Sequence, residues 1–427
     1  MNTSERTPLT VLVAPSGFKE SLGAREVADL IAQGVQRVMP QAEVLRAPMV
    51  DGGEGFTEAL VDATAGQMHH LHVTGPVGQQ VAAFFGLLGG SGPKTAVIEM
   101  AAAAGLRLVP RDQRNPLLTT SYGVGELIRA ALDAGAQRIL LGCGDSGIND
   151  GGAGMAQALG VRLLDEEGWP IGRGGQELGR LRRIDCSGLD PRLKTVALDA
   201  AVNWHNALLG ERGVARVFGP QKGATPEQVV VLERALQRYA QLISRHTGVD
   251  VATMPGAGAS GGLGAGIAGL LGGRLHPRYE IVMQYLQLDE MLAQADLVFT
   301  AEGSLDGQTP YGKVPAEVAS RAKRLGLPVV ALAGTLGHGV DVNFEHGIDA
   351  CASILHKPCT LEEAIANAER LLVRAAEDAV RMIAVGQRLA QGRPAPHAKP
   401  TPMPSATLSP LPLPLFRAGL RMPHMAV

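Results

Sequence analysis

ADLVFTAEGSLDGQTPYGK, residues 295–313, joins a short apolar run to a turn rich in glycine and acid. Val298 and Phe299 favour an extended strand, whereas Gly303, Asp306 and Gly307 favour a loop. A strand that ends this way belongs in an open α/β sheet, where ligands gather outside the carboxyl ends of the strands. Glu302 and Asp306 are therefore expected at the mouth of a cleft, where their oxygens could hold Mg²⁺. Taken alone, the stretch also reads as a surface turn with solvated acids.

The rest of the chain repeats the theme. Thr10–Ala14 (TVLVA) is apolar throughout, as strands buried on both faces are, and Val27, Leu30, Ile31 and Val35 recur at helical spacing over Ala24–Met39. The loop between them, PSGFKES, carries Lys19 close to a helix start, where a cation opposes the local dipole and calls for an anionic ligand or water. Glu43–Ala47 leads into MVDGGEG, so Asp51 and Glu54 also stand where a strand gives way to a helix. They could share a metal with an anion bound at that helix end, or Asp51 could simply cap it. From Leu71 the character shifts to antiparallel strands joined by Gly-Pro turns, the start of a second domain.

Further on, Arg138–Gly142 is a strand feeding CGDSGINDGGAG, whose Asp-Gly-Gly-x-Gly at 150–154 echoes residues 51–55. Thr119, Thr120 and Ser121 could donate to a ligand or cap the helix that follows. Lys222, in a Pro/Gly loop, is a phosphate candidate. Pro226–Thr247 is an amphipathic helix. PGAGASGGLGAG, with Gly256, Gly258, Ser260, Gly261 and Gly262, reads either as a nest of backbone N–H groups for phosphate or as close helix packing. It is neither a Walker A loop nor a convincing GxGxxG. Pro328–Gly334 is a further strand, Leu361–Val385 a long helix, and the proline-rich stretch from about Gln391 is expected to be disordered.

At 427 residues, with 55 glycines and a formal net charge of −2, the chain suits two or three domains with many tight loops. That charge argues against a nucleic-acid or anionic-membrane partner held by bulk electrostatics. The four cysteines lack CxxC spacing, and MNTSERTPLT has no apolar signal core, so a cytoplasmic location is expected. Val251–Gly273 is uncharged and long but dominated by glycine and alanine, which suits a loop and buried helix rather than a membrane span.

APSGFKESL, PMVDGGEG, RNPLLTTSYGVGEL, NDGGAGMAQALG, VFGPQKGAT, GAGASGGLGAG and AEGSLDGQTPYGK, in this order, closely resemble the glycerate kinase family of bacterial ATP-dependent D-glycerate kinases, of the glycerate 2-kinase type. The resemblance spans about Thr10 to Ile383. It implies an α/β fold in two domains: a Rossmann-like parallel-sheet domain built from both ends of the family region (1–70 plus 288–388) and an inserted mixed α/β domain (71–287), followed by a tail (389–427). It also implies phosphorylation of D-glycerate by ATP, with the 2-phospho product expected. The implied cofactors are ATP and Mg²⁺, with no nucleic-acid or membrane partner and a homodimer as one assembly.

On this reading Lys19 and Lys222 bind anions, and residues 256–264 take the nucleotide phosphates. Asp51, Glu54, Glu302 and Asp306 serve Mg²⁺ or its water, while Asp150 orients or deprotonates the glycerate hydroxyl. Two loops depart from the family pattern: Ser16-Gly17 replaces an Asp-Ser pair, and GCGDSGIND replaces GIGGSATND. Asp145 could then supply a charge lost at position 16. A kinase of a related hydroxy acid and a non-catalytic binding protein are the alternatives. A nicotinamide-dependent dehydrogenase would need a GxGxxG after the first strand, which PSGFKES does not supply.

Overall fold

The computed structural model describes residues 9–18, 21–50 and 52–390. Lys19, Asp51 and the proline-rich residues 391–427 lie outside the described residues. Contacts divide the chain into one unit of residues 1–381 and a second of 382–427, whose described part, 382–390, is helical.

The strands are β1 (Thr10–Val13), β2 (Glu43–Arg46), β3 (Gln67–Thr74), β4 (Gln80–Leu87), β5 (Thr95–Glu99), β6 (Arg138–Gly142), β7 (Arg162–Leu164), β8 (Arg183–Asp185), β9 (Ala197–Val202), β10 (Arg274–Pro277), β11 (Leu297–Leu305), β12 (Val329–Leu336) and β13 (Ala350–Ser353). The first sheet has the order β13-β12-β11-β1-β2, with every pair parallel. From β1 the chain moves to β2 on one side, and β11, β12 and β13 are laid down on the other. The order therefore reverses between β1 and β11, the position where open α/β sheets form a ligand crevice. Side chains of Val11, Leu12 and Val13 are fully buried, as an all-apolar parallel strand requires.

The second sheet has the order β10-β9-β6-β5-β4-β3. Its β10, β9, β6 and β5 are parallel, whereas β5-β4 and β4-β3 are antiparallel. The fold class expected from the sequence is therefore observed: a parallel sheet made from both ends of the family region and a mixed sheet made from the middle. β7 and β8 pair antiparallel in a small separate ladder.

The helix Phe56–Ala63 ties the two sheets together. Its Phe56 and Leu60 share one core with Val97, Leu140 and Ala201 of the second sheet and with Leu12 and Val298 of the first. Glu99, at the end of β5, accepts the Thr57 N–H in that helix's first turn at 3.1 Å. Burial pushes its carboxyl up to about 7 against the pull of this bond.

Three boundaries differ from expectation. β11 runs on through Glu302 and Gly303 to Leu305, because β12 extends in register beside it and Gly303 and Gly334 let the backbones approach. A β-carbon at Gly334 would lie 2.6 Å from the Gly303 carbonyl oxygen. Glu302 is thus a strand residue, and Asp306 alone of the two acids lies in the turn. The helix expected over Leu361–Val385 is two, Leu361–Ala366 and Ala368–Ala390, so helix continues past residue 389, where the tail was expected to begin. By contrast Pro226–Thr247 forms as read. Thr225 and Gln228 make a capping box, Pro226 takes the first turn, and Gly248 closes the helix at φ +78°.

Candidate active site

The carboxyl ends of β5, β6 and β9 open into a cleft of about 680 Å³. Its walls come from the turn after β5 (Leu106, Arg107, Arg114), the loop after β6 (Cys143 to Ser146), Asn203 and Asn206 after β9, and Gln221 and Lys222. Glu54 reaches it from the other sheet's loop, and Arg278 from the helix after β10. The two loops are locked together. A β-carbon at Gly144 would lie 2.5 Å from the Gly53 α-carbon, so only glycine permits this approach. Asp145, held at φ +48°, accepts the Glu54 N–H at 2.9 Å, and the Glu54 carboxylate pairs with Arg107 at 3.2 Å. The acid that departs from the family pattern thus fixes the Glu54 loop. Ser16 instead donates to the Ala301 carbonyl at 3.1 Å.

Beneath this wall lies a buried polar cluster. The Lys222 side chain, 2 % exposed, donates to Ser146 Oγ at 2.8 Å and to the Ile148 carbonyl at 2.7 Å. Burial pushes its ammonium down to about 7, with partial relief from the nearby Asp150 charge. Asp150 is fully buried. Its carboxylate accepts from Ser121 N–H (2.7 Å), Ser121 Oγ (2.9 Å), Gly152 N–H (3.1 Å) and Gly154 N–H (3.2 Å), with Thr120 Oγ1 at 3.4 Å. Burial raises its pKa while these donors lower it. A carboxylate so enclosed pins the Thr119–Tyr122 turn to the Gly151–Gly154 turn, and it does not line the cleft. This geometry holds the two turns together beneath the cleft. The echo between residues 51–55 and 150–154 has a physical basis as well: Gly55 (φ +83°) and Gly152 (φ +77°) each start a helix from the left-handed region.

Glu302, Asp306 and Lys313 form a second polar group at the end of β11. Lys313 Nζ lies 3.2 Å from Asp306 and 3.8 Å from Glu302, so both acids converge on one ammonium. Burial tends to raise the Asp306 pKa, but the Gln308 N–H and Lys313 outweigh it and hold the carboxyl low. Among the described residues no group of three or more His, Cys, Asp or Glu side chains is arranged to hold a metal ion. Glu54 is engaged with Arg107, apart from the pair at Lys313.

The glycine-rich segment leaves regular helical geometry where it meets the cleft. Ser260, Gly261 and Gly262 are consecutively left-handed (φ +51°, +72° and +87°), and Ser260 and Gly261 line the cleft. The glycines also serve close packing. A β-carbon would lie 2.5 Å from Val202 at Gly256, 2.0 Å from the Ala207 carbonyl oxygen at Gly258 and 2.9 Å from Gly151 at Gly262. At Gly261 it would meet the Ile148 carbonyl oxygen at 2.0 Å, on the same residue that holds Lys222. Gly261→Ala is expected to lower stability by roughly 2–4 kcal/mol, read as a shift in the urea midpoint, because left-handed strain and a backbone clash coincide.

Several lining residues escaped the sequence reading: Arg107, Arg114, Ser146, Asn203, Asn206, Gln221 and Arg278. Arg114 opened a quoted motif, but a lone arginine carries no local mark of facing a cleft. No helix among the described residues is long and apolar enough to cross a membrane, and the helix within Val251–Gly273 is Ala259–Leu270.

Cationic side chains and a left-handed glycine wall at the carboxyl ends of parallel strands define an α/β protein built to handle small anions. The chain belongs to the glycerate kinase family, whose sequence profile matches residues 11–384. It is 49 % identical over 376 residues to a glycerate kinase of Halalkalibacterium halodurans, covering 88 % of this chain and 97 % of that protein. It is 47 % identical over 380 residues to the glycerate 2-kinase of Escherichia coli K12, covering 89 % and 99 %. A crystal structure from Salmonella typhimurium LT2, of a protein provisionally called glycerate kinase 2, superposes with a TM-score of 0.79 at 48 % identity, covering 89 % of this chain and all of that one.

Proposed function

We propose that the protein transfers a phosphoryl group from ATP to D-glycerate, giving 2-phosphoglycerate. The observation that carries this reading is the near end-to-end match to relatives named glycerate kinase and glycerate 2-kinase, on a fold whose cleft gathers basic side chains. Phosphoryl transfer asks a protein mainly to position two anions and to offset charge on the moving oxygens. Lys222 lies within the cleft wall beside Ser146, and the Ser260–Gly261 backbone lines the same cleft, where nucleotide phosphates would sit. Lys19 and Asp51, the other site residues expected from the sequence, lie outside the described residues.

Glu302 and Asp306 suit Mg²⁺, since they already converge on one cation and this metal is commonly held by one or two carboxylates with phosphate oxygens. When bound, the metal neutralises phosphate charge. Glu54, Arg107 and Asp145 brace the cleft rim, and Asp150 keeps the turns beneath it in place. We further infer that the lobes divide near residues 71 and 287, and that the enzyme works in the cytoplasm, consistent with four unpaired cysteines.

The test is product analysis. Purified protein with ATP, Mg²⁺ and D-glycerate should yield 2-phosphoglycerate by ³¹P and ¹H NMR, and EDTA should stop turnover until excess Mg²⁺ restores it. A 3-phospho product would overturn the regiochemistry, and no product at all would overturn the reaction.

A further inference from the structure

We propose that Arg114 anchors the carboxylate of the acceptor hydroxy acid, an inference that rests on the glycerate kinase reading above. Three guanidinium groups line the cleft, and two have partners. Arg107 pairs with Glu54, and Arg278 lies over the Tyr279 ring at 4.6 Å. Arg114 has neither an acid nor an aromatic partner among the described residues, and its Nε is buried without a hydrogen-bond partner. Arg114 lines the cleft, and a guanidinium there with no acid to pair with is free to take the oxygens of a bound anion.

The backbone around Arg114 is held for this task. Asn115 Oδ1 accepts the Leu117 N–H at 3.1 Å, which shapes the turn that follows. Gly223, at φ +94°, packs so closely that a β-carbon there would lie 2.2 Å from the Arg114 carbonyl oxygen and 2.8 Å from its β-carbon. The loop that carries Lys222 therefore closes directly against Arg114. A ligand held by Arg114 is thereby brought toward the Lys222–Ser146 pair.

The chemistry favours a carboxylate over a phosphate at this wall. A guanidinium presents two parallel N–H groups along one edge, which match the two oxygens of a planar carboxylate. The left-handed Ser260–Gly261 backbone, which suits phosphate, lines the same cleft from another segment. The two anionic groups of the reaction then have separate seats, and the acceptor hydroxyl is presented between them. Specificity for an acid over a neutral polyol follows, because a substrate without the carboxylate would leave the Arg114 guanidinium without its acceptor.

The test compares wild type, Arg114→Gln and Arg114→Lys with D-glycerate and with glyceramide, whose neutral carboxamide replaces the carboxylate. Arg114→Gln should raise KM for D-glycerate on the order of 100-fold, leave KM for ATP unchanged and treat glyceramide as wild type does. Arg114→Lys, which keeps the charge but loses the fork, should fall between. Thermal melting of both variants should match wild type, and Arg114→Lys serves if Arg114→Gln does not fold. Equal losses for acid and amide, or a raised KM for ATP alone, would overturn the assignment. If wild type does not phosphorylate D-glycerate, the kinase reading itself has failed. Calorimetric titration of D-glycerate then decides separately: binding lost in Arg114→Gln supports the anchor, and equal or absent binding refutes it.

Discussion

Asp150→Ala should lower folding stability by about 3–5 kcal/mol and remove most turnover with it. The carboxylate collects bonds from Ser121, Gly152 and Gly154, all within a buried pocket that water does not reach. Alanine returns the desolvation cost of one carboxylate but leaves three backbone N–H groups and a hydroxyl without an acceptor. Each unsatisfied buried donor costs about 1–3 kcal/mol, so the loss exceeds the gain. Met155 N–H, bonded to Ser121 Oγ at 2.9 Å, would loosen as well. Asp150→Asn should also destabilise, since its amide N–H₂ would face donors. Urea melts of the two variants check this. A fully stable Asp150→Ala protein with lost kcat would instead place Asp150 in direct contact with substrate.

Lys222→Met should lower kcat/KM on the order of 10³-fold, and it should also change how stability depends on pH. Burial holds the folded-state pKa near 7, below the ordinary 10.5. Below about pH 7 the folded and unfolded chains both carry the proton. Between 7 and 10.5 the unfolded chain keeps a proton that the folded one has released, so unfolding takes up a proton and stability rises with pH. The methionine variant lacks this contribution. Wild type should therefore gain on the variant between pH 7 and 9 by about 1.4 kcal/mol per pH unit at most, measured as paired urea midpoints. A constant difference across that range would show that the buried lysine stays charged. The raised Glu99 carboxyl acts below pH 7 and is common to both proteins, so it cancels in the comparison.

Much of the fold was legible because it rests on local signals. Continuous apolar runs marked β1 and β12, since strands covered on both faces need apolar residues at every position. Apolar residues at helical spacing marked the helix Pro226–Thr247. Glycine clusters marked the turns at 52–55, 150–154 and 256–266, where left-handed backbone recurs. The extent of β11 was not legible, because glycine and acid in Glu302–Ser304 argue for a loop until a parallel partner supplies hydrogen bonds.

The order of apolar runs, glycine turns and motif residues by itself determined the α/β class, the family and the loops in which polar chemistry gathers. These depend on neighbours within a few residues, and sequence records those directly. Tertiary structure alone decided what each polar side chain does. Asp150 is enclosed by turns from two segments, Asp145 holds a loop 91 residues away, Lys222 reaches Ser146 across 76 residues, and Arg114 stands unpaired beside them. Burial, pKa and pairing are set by atoms distant in the chain, so the stretch 295–313 revealed a strand and its acids but not that both converge on Lys313.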